Sequence, residues 1–261
     1  MRARSALFDL YGDHLRGRGG WAPVSALVRL LEPLGVAAPA VRTAISRMVS
    51  QGWLDAQNVD GAPGYALTER AGLWLDDAAR RIYRTSSTEW DGSWRVLVLD
   101  AVPDRPRRER VRNQLRYLGY APLSDSTWVS PRKIDPGALL AEESVGSVRF
   151  TCADPAPVAA LVDAFEPEAL GAAYQQWLSE ARTQVEAHPD GSEQDAFAVR
   201  STLVHEWRKF LFRDPGLPAV LLPPQWPGLE AAAFFDRETA RLLPPARRFI
   251  DECLHSQGDH L

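Results

Sequence analysis

The sequence predicts an α+β protein of several domains: an amino-terminal winged helix-turn-helix, a central ferredoxin-like domain and a carboxy-terminal helical domain. Three observations carry this. Helical apolar periodicity recurs three times in the first fifty residues and is followed by a hairpin pattern. From Trp94 the pattern changes to buried-strand runs that alternate with helices, and beyond Pro157 the spacing is mostly helical. With 261 residues, 45% of them apolar, the chain is long enough for two or three cores. The expected domains are 1–85, 92–154 and 157–261.

In chain order, "SALFDLYGDHLR" (5–16) places Leu7, Leu10, Tyr11 and His14 or Leu15 at helical spacing, and "GRGG" ends this first helix. "PVSALVRLLEPLG", Pro23 to Gly35, repeats the scheme with Val24, Leu27, Val28 and Leu31. "VRTAISRMVSQGWL", Val41 to Leu54, is the third helix, with Pro39 suited to a first turn and Gly52 to the left-handed residue that ends a helix. "WLDAQNV", "DGAPG" and "YALT" read as a strand, a five-residue tip and a second strand. Three helices and a hairpin are the order of a winged helix, whose third helix enters the major groove while the hairpin lies along the backbone or in the minor groove. A fourth helix runs from Glu69 to about Arg84, before the polar linker "TSSTEWDGS".

Each helical residue turns about 100° from the last, so the faces of the third helix can be assigned. Val41, Ala44, Ile45, Met48 and Val49 share one side, and Arg42, Thr43, Ser46, Arg47 and Ser50 share the other. Every member of that polar stripe is a cation or a hydrogen-bond donor, and none is an acid. Arg42 and Arg47 are long enough to reach guanine O6 and N7 bidentately, while Thr43 and Ser46 suit nearby bases or phosphates. On spacing alone, the stripe reads equally as a solvated surface.

In the central block, "WRVLVLDAV" is a buried strand, "RPRRERVRNQLRYLGY" a helix with Val111, Leu115 and Leu118 inward, and "SDSTWVSP" a second strand. A short helix at "PGALLAEE" and a strand at "SVRFTCA" complete a β-α-β-type, ferredoxin-like unit. Two long helices follow, "EALGAAYQQWLSEARTQVEAH" and "SEQDAFAVRSTLVHEWRKFLFRDP", the second with capping-box spacing between Ser192 and Asp195. The proline-rich "GLPAVLLPPQWPG" leads into a last helix, "LEAAAFFDRETARLL".

The net charge of −4 conceals an asymmetry. Residues 1–50 hold seven arginines against three acids, residues 91–133 nine cations against five acids, and residues 134–261 ten cations against twenty acids. A polyanion would therefore meet the amino-terminal part, and the acidic remainder resists nonspecific binding. No run of eighteen apolar residues exists, and Asp9, Asp13 and His14 interrupt the amino terminus, which fits neither a membrane span nor a signal peptide and leaves the cytoplasm as the expected location. Cys152 and Cys253 stand far apart without a CxxC pattern, which speaks against a disulfide framework and a zinc site.

Taken together, the three blocks resemble the PaaX family of bacterial transcriptional repressors, named for control of phenylacetate catabolism. The first stretch is "SALFDLYGDHLRGRGGW" with "VRTAISRMVSQGWL" and "YALTERAG", similar to the family's winged helix. The second, "WRVLVLDAVPDRPRRERVRNQLRYLGYAPLSDSTWVSP", resembles its central domain, related in fold to the CRISPR protein Cas2. The third, "LVHEWRKFLFRDPGLPAVLLPPQWPG", is similar to its carboxy-terminal helical segment. The resemblance implies a homodimer, joined through the Cas2-like domain, that binds double-stranded DNA at an imperfect palindromic operator and represses a catabolic operon. It further implies release by an acyl-coenzyme A effector, phenylacetyl-coenzyme A in the type case. One departure stands out: family members often carry arginines in the wing, whereas "DAQNVDGAPGY" has no cation. Backbone contacts would then fall to main-chain amides, Gln57 or Asn58, and to Arg2, Arg4, Arg16 and Arg18.

Several residues remain open. "RPRRERVR", Arg105 to Arg112, can meet DNA, bind coenzyme A phosphates or simply solvate a helix; Arg107 and Arg108 are its effector candidates. Trp207 belongs to an aromatic group with Trp177, Phe210, Phe212, Trp226, Phe234 and Phe235 that suits either an aryl pocket or a helical core. Asp100 ends the first central strand, where an acid can help bind metal in Cas2 nucleases, so a metal-dependent nuclease delivered by the winged helix is the rival reading; a lone carboxylate is a poor magnesium site. A scaffold that uses the third helix for protein contacts is a further alternative. "HEWRK" at His205 falls short of HExxH because Lys209 replaces the second histidine, so His205 and Glu206 are expected to pack or pair locally. With no GxSxG, GxGxxG or Walker loop present, no catalytic residue, cofactor or metal is assigned.

Overall fold

The fold is given by a computed structural model, which describes residues 1–83, 90–153, 155–188 and 191–255. The chain forms two units, one of Met1–Ser86, Trp177–Arg208 and Ala232–Leu261, the other of Ser87–Gln176 and Lys209–Ala231. Residues 157–261 thus contribute to both.

In the first unit, α1 (Ala3–Leu10) widens into a π-turn at Tyr11–Leu15 and tightens at Arg16–Arg18, so the first helix is a rod of changing pitch rather than one uniform helix over 5–16. The bulge places Asp13 and His14 against interior partners, and the Tyr11 hydroxyl donates to the Tyr65 carbonyl at 2.9 Å. Trp21–Pro23 is a strand, β1, so Pro23, expected to open the second helix, instead ends this strand. It precedes α2 (Val24–Leu31), a short turn at Glu32–Leu34 and α3 (Ala38–Ser50). Strands β2 (Leu54–Val59) and β3 (Ala62–Leu67) then form an antiparallel sheet in the order β1-β3-β2. The hairpin tip is two residues, not five: Val59 pairs with Ala62, and Asp60 and Gly61 take φ of 51° and 81°. Two successive positive φ values are what a tight turn between right-twisted strands needs, and "DG" supplies them. Helix α4 (Glu69–Ile82) follows, its first turn capped by the Thr68 hydroxyl, which accepts from Ala71 N–H at 3.2 Å.

The core of this unit is built from Leu7, Tyr11, Leu15, Leu27, Leu30, Leu31, Val41, Ile45, Met48 and Leu54, joined by Phe197, Ala246, Ile250 and Cys253 from the carboxy-terminal helices. Those come from α9 (Glu193–Trp207) and α10 (Pro227–His255). Ser192 and Asp195 form the expected capping box. Helix α10 does not stop at Leu243; it continues through Pro244 and Pro245. Prolines normally end a helix, but Ala246, Ile250 and Cys253 beyond them are buried in the core and hold the continuation in place.

In the second unit, β4 (Trp94–Leu99), α5 (Arg105–Tyr117), β5 (Ala121–Pro122), β6 (Thr127–Ser130), α6 (Gly137–Glu142) and β7 (Ser147–Cys152) form a βαββαβ chain. Its antiparallel sheet has the order β5-β6-β4-β7, the ferredoxin-like arrangement. Alternation along β4 sends Leu97 and Leu99 to one face, against Val111, Leu115 and Leu140, and Trp94 and Val96 to the other. That other face meets Phe165, Leu161 and Val162 around α7 (Val158–Asp163). Helix α8 (Pro167–Glu186) follows. Among the described residues no helix is long and apolar enough to cross a membrane.

Candidate nucleic-acid interface

Helix α3 is held by α1 and α2 through Val41, Ala44, Ile45 and Met48, all buried. This leaves Arg42, Thr43, Ser46, Arg47 and Ser50 exposed on the opposite side, as the periodicity predicts. Val49 is a correction: assigned inward, it is 37% exposed at the border of the two faces. The Thr43 hydroxyl donates to the Pro39 carbonyl at 2.9 Å and that of Ser50 to the Arg47 carbonyl at 2.9 Å, so each keeps its oxygen lone pairs as acceptors. Neither the Arg42 nor the Arg47 guanidinium meets a carboxylate among the described residues. The result is a short cationic face whose charges are unneutralised and whose helix is anchored from behind.

The surrounding cations divide into two groups. Arg18 donates to Asp251 of α10, 3.0 Å away, and to the His14 carbonyl at 3.1 Å, while Arg16 pairs with Asp76 of α4. Both are thus engaged within the protein. Arg4 and Arg70 lie over the rings of Phe8 and Trp53, at 5.5 and 5.8 Å from the centroids, and meet no carboxylate among the described residues. The β2–β3 hairpin carries no cation, as its sequence states, and Gln57 and Asn58 are exposed on β2.

The effector candidates are not brought together. Arg107 donates to the Glu143 and Ser144 carbonyls and Arg108 to those of Val102 and Pro103, so both close the loops at the two ends of α6 and β4. Trp207 belongs to the first unit, where it is buried and stacked on Phe235 at 4.7 Å beside Trp177. The aromatic group is mostly core; Phe212 alone of it is largely exposed, against Tyr117 at 5.5 Å. A cavity of about 410 Å³ in the first unit is lined by Arg29, Glu32, Gln194, Phe249, Glu252 and Cys253, and none of the three candidates reaches it. Asp100 is exposed against Gly146, and the described residues contain no group of three histidines, cysteines or acids spaced to hold a metal ion.

A buried ionic network joins the amino-terminal helix to α9 and α10. Arg200 of α9 grips the Asp13 carboxylate with both terminal nitrogens and donates through Nε to the Thr239 carbonyl at 3.0 Å. The Tyr83 hydroxyl donates to the same carboxylate, and burial pushes its pKa up. Asp9 takes His205 at 2.6 Å and Arg208 at 2.8 Å. His205 thus uses Nδ1 on a carboxylate 196 positions away, while its Nε2 lies 3.9 Å from Glu206 Oε1, the local pair that was expected. Burial lowers the pKa of Arg200 to about 10, which leaves it charged at neutral pH. The only available signal was the Asp9/Asp13 spacing on an otherwise apolar helix.

A helical face of unneutralised arginines on a three-stranded sheet, followed by a ferredoxin-like sheet domain, defines an α+β multi-domain protein with a cationic amino-terminal surface. The chain belongs to the PaaX family: residues 2–71 match the model described as PaaX-like protein, 87–153 the PaaX protein central Cas2-like domain, and 165–252 the PaaX-like protein C-terminal domain. It is 30% identical to the transcriptional repressor PaaX of Escherichia coli strain K12, over 95% of this chain and 83% of that one. Among solved structures it is similar in fold to the uncharacterized protein Rv0674 from Mycobacterium tuberculosis, with a TM-score of 0.60 and 22% identity over 95% of this chain and 98% of that one.

Proposed function

We propose that the protein is a transcriptional repressor whose first unit is a winged helix-turn-helix and whose α3 reads an operator in the major groove. The observation that carries this is the outward face of α3, where Arg42 and Arg47 stand exposed with no acid to neutralise them among the described residues. Arg42 and Arg47 are the guanine-reading donors, Thr43 and Ser46 contact adjacent bases or phosphates, and Asn58 reaches the backbone from the wing. Arg18 joins them only by exchanging Asp251 for a phosphate. The kinship to a named transcriptional repressor supports the same reading. The rival nuclease has no comparable support, since no group of three histidines, cysteines or acids spaced to hold a metal ion surrounds Asp100 among the described residues.

The reading extends to a homodimer on a palindromic operator of a catabolic operon, released by an acyl-coenzyme A such as phenylacetyl-coenzyme A. Release requires the effector to favour a conformation in which the two α3 helices no longer match the half-site spacing, because equal affinity for both states shifts nothing. Arg107 and Arg108 would bind its phosphates by giving up their carbonyl partners.

The test is a gel-shift titration with the DNA upstream of the gene. Arg42→Ala will weaken binding by about 1–3 kcal/mol, roughly five- to 150-fold in Kd. Unchanged binding removes Arg42 from the readout. Magnesium added to the same mixture leaves the shifted DNA intact, whereas cleavage lost in Asp100→Ala would establish the nuclease. A panel of acyl-coenzyme A thioesters then identifies the releasing ligand.

A further inference from the structure

We propose that Arg4 and Arg70 form a clamp for DNA phosphates beside the carboxy-terminal end of α3, in place of the cations that the β2–β3 hairpin lacks. The inference rests on the reading of α3 as the helix that enters the major groove. Residues 54–67 contain neither lysine nor arginine, so no side chain of the hairpin neutralises a phosphate. Arg4 of α1 and Arg70 of α4 are both exposed, and neither meets a carboxylate among the described residues, Glu69 beside Arg70 included. Each is held instead over an aromatic ring, Arg4 at 5.5 Å from the Phe8 centroid and Arg70 at 5.8 Å from that of Trp53. Phe8 and Trp53 meet edge to face, 5.0 Å apart at 87°, and Trp74 closes against them at 5.8 and 5.6 Å. Three rings from α1, the end of α3 and α4 thus carry two cations on one mount. A ring attracts a guanidinium through its quadrupole and uses up none of its N–H donors. Both arginines are therefore positioned and still keep the donor fork that recognises a phosphate bidentately.

Local hydrogen bonds tie this mount to α3. Gly52, with φ of 70°, ends the helix, and the Trp53 N–H donates back to the Met48 carbonyl at 2.9 Å. The Trp53 carbonyl accepts from the Thr68 N–H at 3.2 Å, and the Gly52 carbonyl from the Thr68 hydroxyl at 2.9 Å. Arg70 therefore follows a residue strapped to the end of α3, whose last turn presents Arg47 and Ser50. A helix in the major groove meets the sugar-phosphate backbone at its ends, as the carboxy-terminal end of the homeodomain recognition helix does. The legs from Arg4 to Phe8, Phe8 to Trp53 and Trp53 to Arg70 measure 5.5, 5.0 and 5.8 Å. With phosphates about 3.4 Å apart along the axis of one strand, the two cations stand within a few phosphates of each other. Arg16 and Arg18 differ in kind, because Asp76 and Asp251 already neutralise them. Phosphate contacts carry no sequence information, so the clamp sets affinity and register while Arg42 and Arg47 choose the site.

The test is a set of fluorescence anisotropy titrations of the full chain between about 50 and 200 mM salt, on the upstream duplex and on a scrambled one. Each phosphate contact contributes about 0.9 to the slope of log K against log salt. Arg4→Gln and Arg70→Gln will each lower the slope by about that amount on both duplexes, and the double variant by about twice as much. The ratio of the two affinities stays unchanged in all three, whereas Arg42→Ala lowers it. Arg70→Lys, which keeps the charge, will keep the wild-type slope. A wild-type slope in either folded glutamine variant, a loss confined to the upstream duplex, or a loss in Arg70→Lys equal to that in Arg70→Gln overturns the clamp. If Arg42→Ala still loses its preference for the upstream duplex in that case, the repressor reading stands without the clamp. A wild-type chain that binds neither duplex overturns both. Thermal unfolding shows which variants are folded, and should Arg70→Gln not fold, Arg4→Gln decides alone.

Discussion

His14 is 4% exposed, with Phe197 against its ring at 5.5 Å and the Asp13 carboxylate 3.1 Å from Nε2. Asp13 is already held by Arg200, and burial, reinforced by Arg18 and Arg247, lowers the His14 pKa to about 3. A buried imidazole kept neutral ties stability to pH in a definite direction. In the unfolded chain the ring titrates near its ordinary value of about 6.5, so below that pH the unfolded state takes up a proton that the folded state refuses. The contribution is complete above about 6.5 and is lost as pH falls towards the folded value. Between about pH 6.5 and pH 5 the loss is about 2 kcal/mol, at about 1.4 kcal/mol per unit. Urea unfolding at both pH values will show this drop, and His14→Gln, which cannot titrate, will remove it. An equal pH dependence in wild type and variant would show that His14 does not carry it.

Strand β3 lies between β1 and β2, and Gly64 faces Pro23 on one side and Gln57 on the other. A Cβ on Gly64 would lie 2.6 Å from the Ala22 carbonyl oxygen and equally close to the Trp21 ring. A backbone oxygen cannot yield as a side chain can, so Gly64→Ala must displace β1, at a cost of about 1–3 kcal/mol. Tryptophan-monitored thermal unfolding will show the lower stability. The importance of Gly64 was not visible in the sequence, because β1 is three residues long and β5 two, too short for any periodicity to register. Helix α3 was legible because apolar spacing assigns its faces and Pro39 and Gly52 mark its limits. The two-residue turn between β2 and β3 is carried by "DG", whereas the glycines bounding "DGAPG" suggest a longer tip; Gly64 instead sits inside β3. Pro244 and Pro245 misled in the same way about α10, where core packing outweighs the local signal. For the interface, the stripe itself could be read, but the engagement of Arg18 by Asp251, 233 positions away, is set by the tertiary fold alone.

On the scale of the whole molecule, the amino-terminal segment shares its core with distant parts of the chain. Phe197, Ala246, Ile250 and Cys253 are buried in the same cluster as Leu7, Leu31 and Met48. Arg200, His205 and Arg208 neutralise Asp13 and Asp9 in that interior. A fragment of residues 1–85 would lose all of these partners at once. Exposing the apolar surface that Phe197 and Ile250 cover forfeits about 1.5–3 kcal/mol for each. The charge-assisted hydrogen bonds from Arg200, His205 and Arg208 to Asp13 and Asp9 are lost as well, at about 1.5–3 kcal/mol each. Together these approach the 5–15 kcal/mol that typically separates a folded domain from its unfolded chain. The fragment will therefore unfold without a sharp transition and will bind a hydrophobic dye, even though it contains the whole α3 face and the β2–β3 hairpin. In the full chain, Arg200→Met will be destabilised by a comparable fraction, and adding Asp13→Leu will recover much of the loss, because two apolar side chains leave no stranded charge. A fragment that melts as cooperatively as the full chain would show that the carboxy-terminal helices merely lie against an autonomous domain. Retained cooperativity only in the full chain would instead place the stability of α3 under the control of α9 and α10, so that whatever shifts those helices also shifts α3.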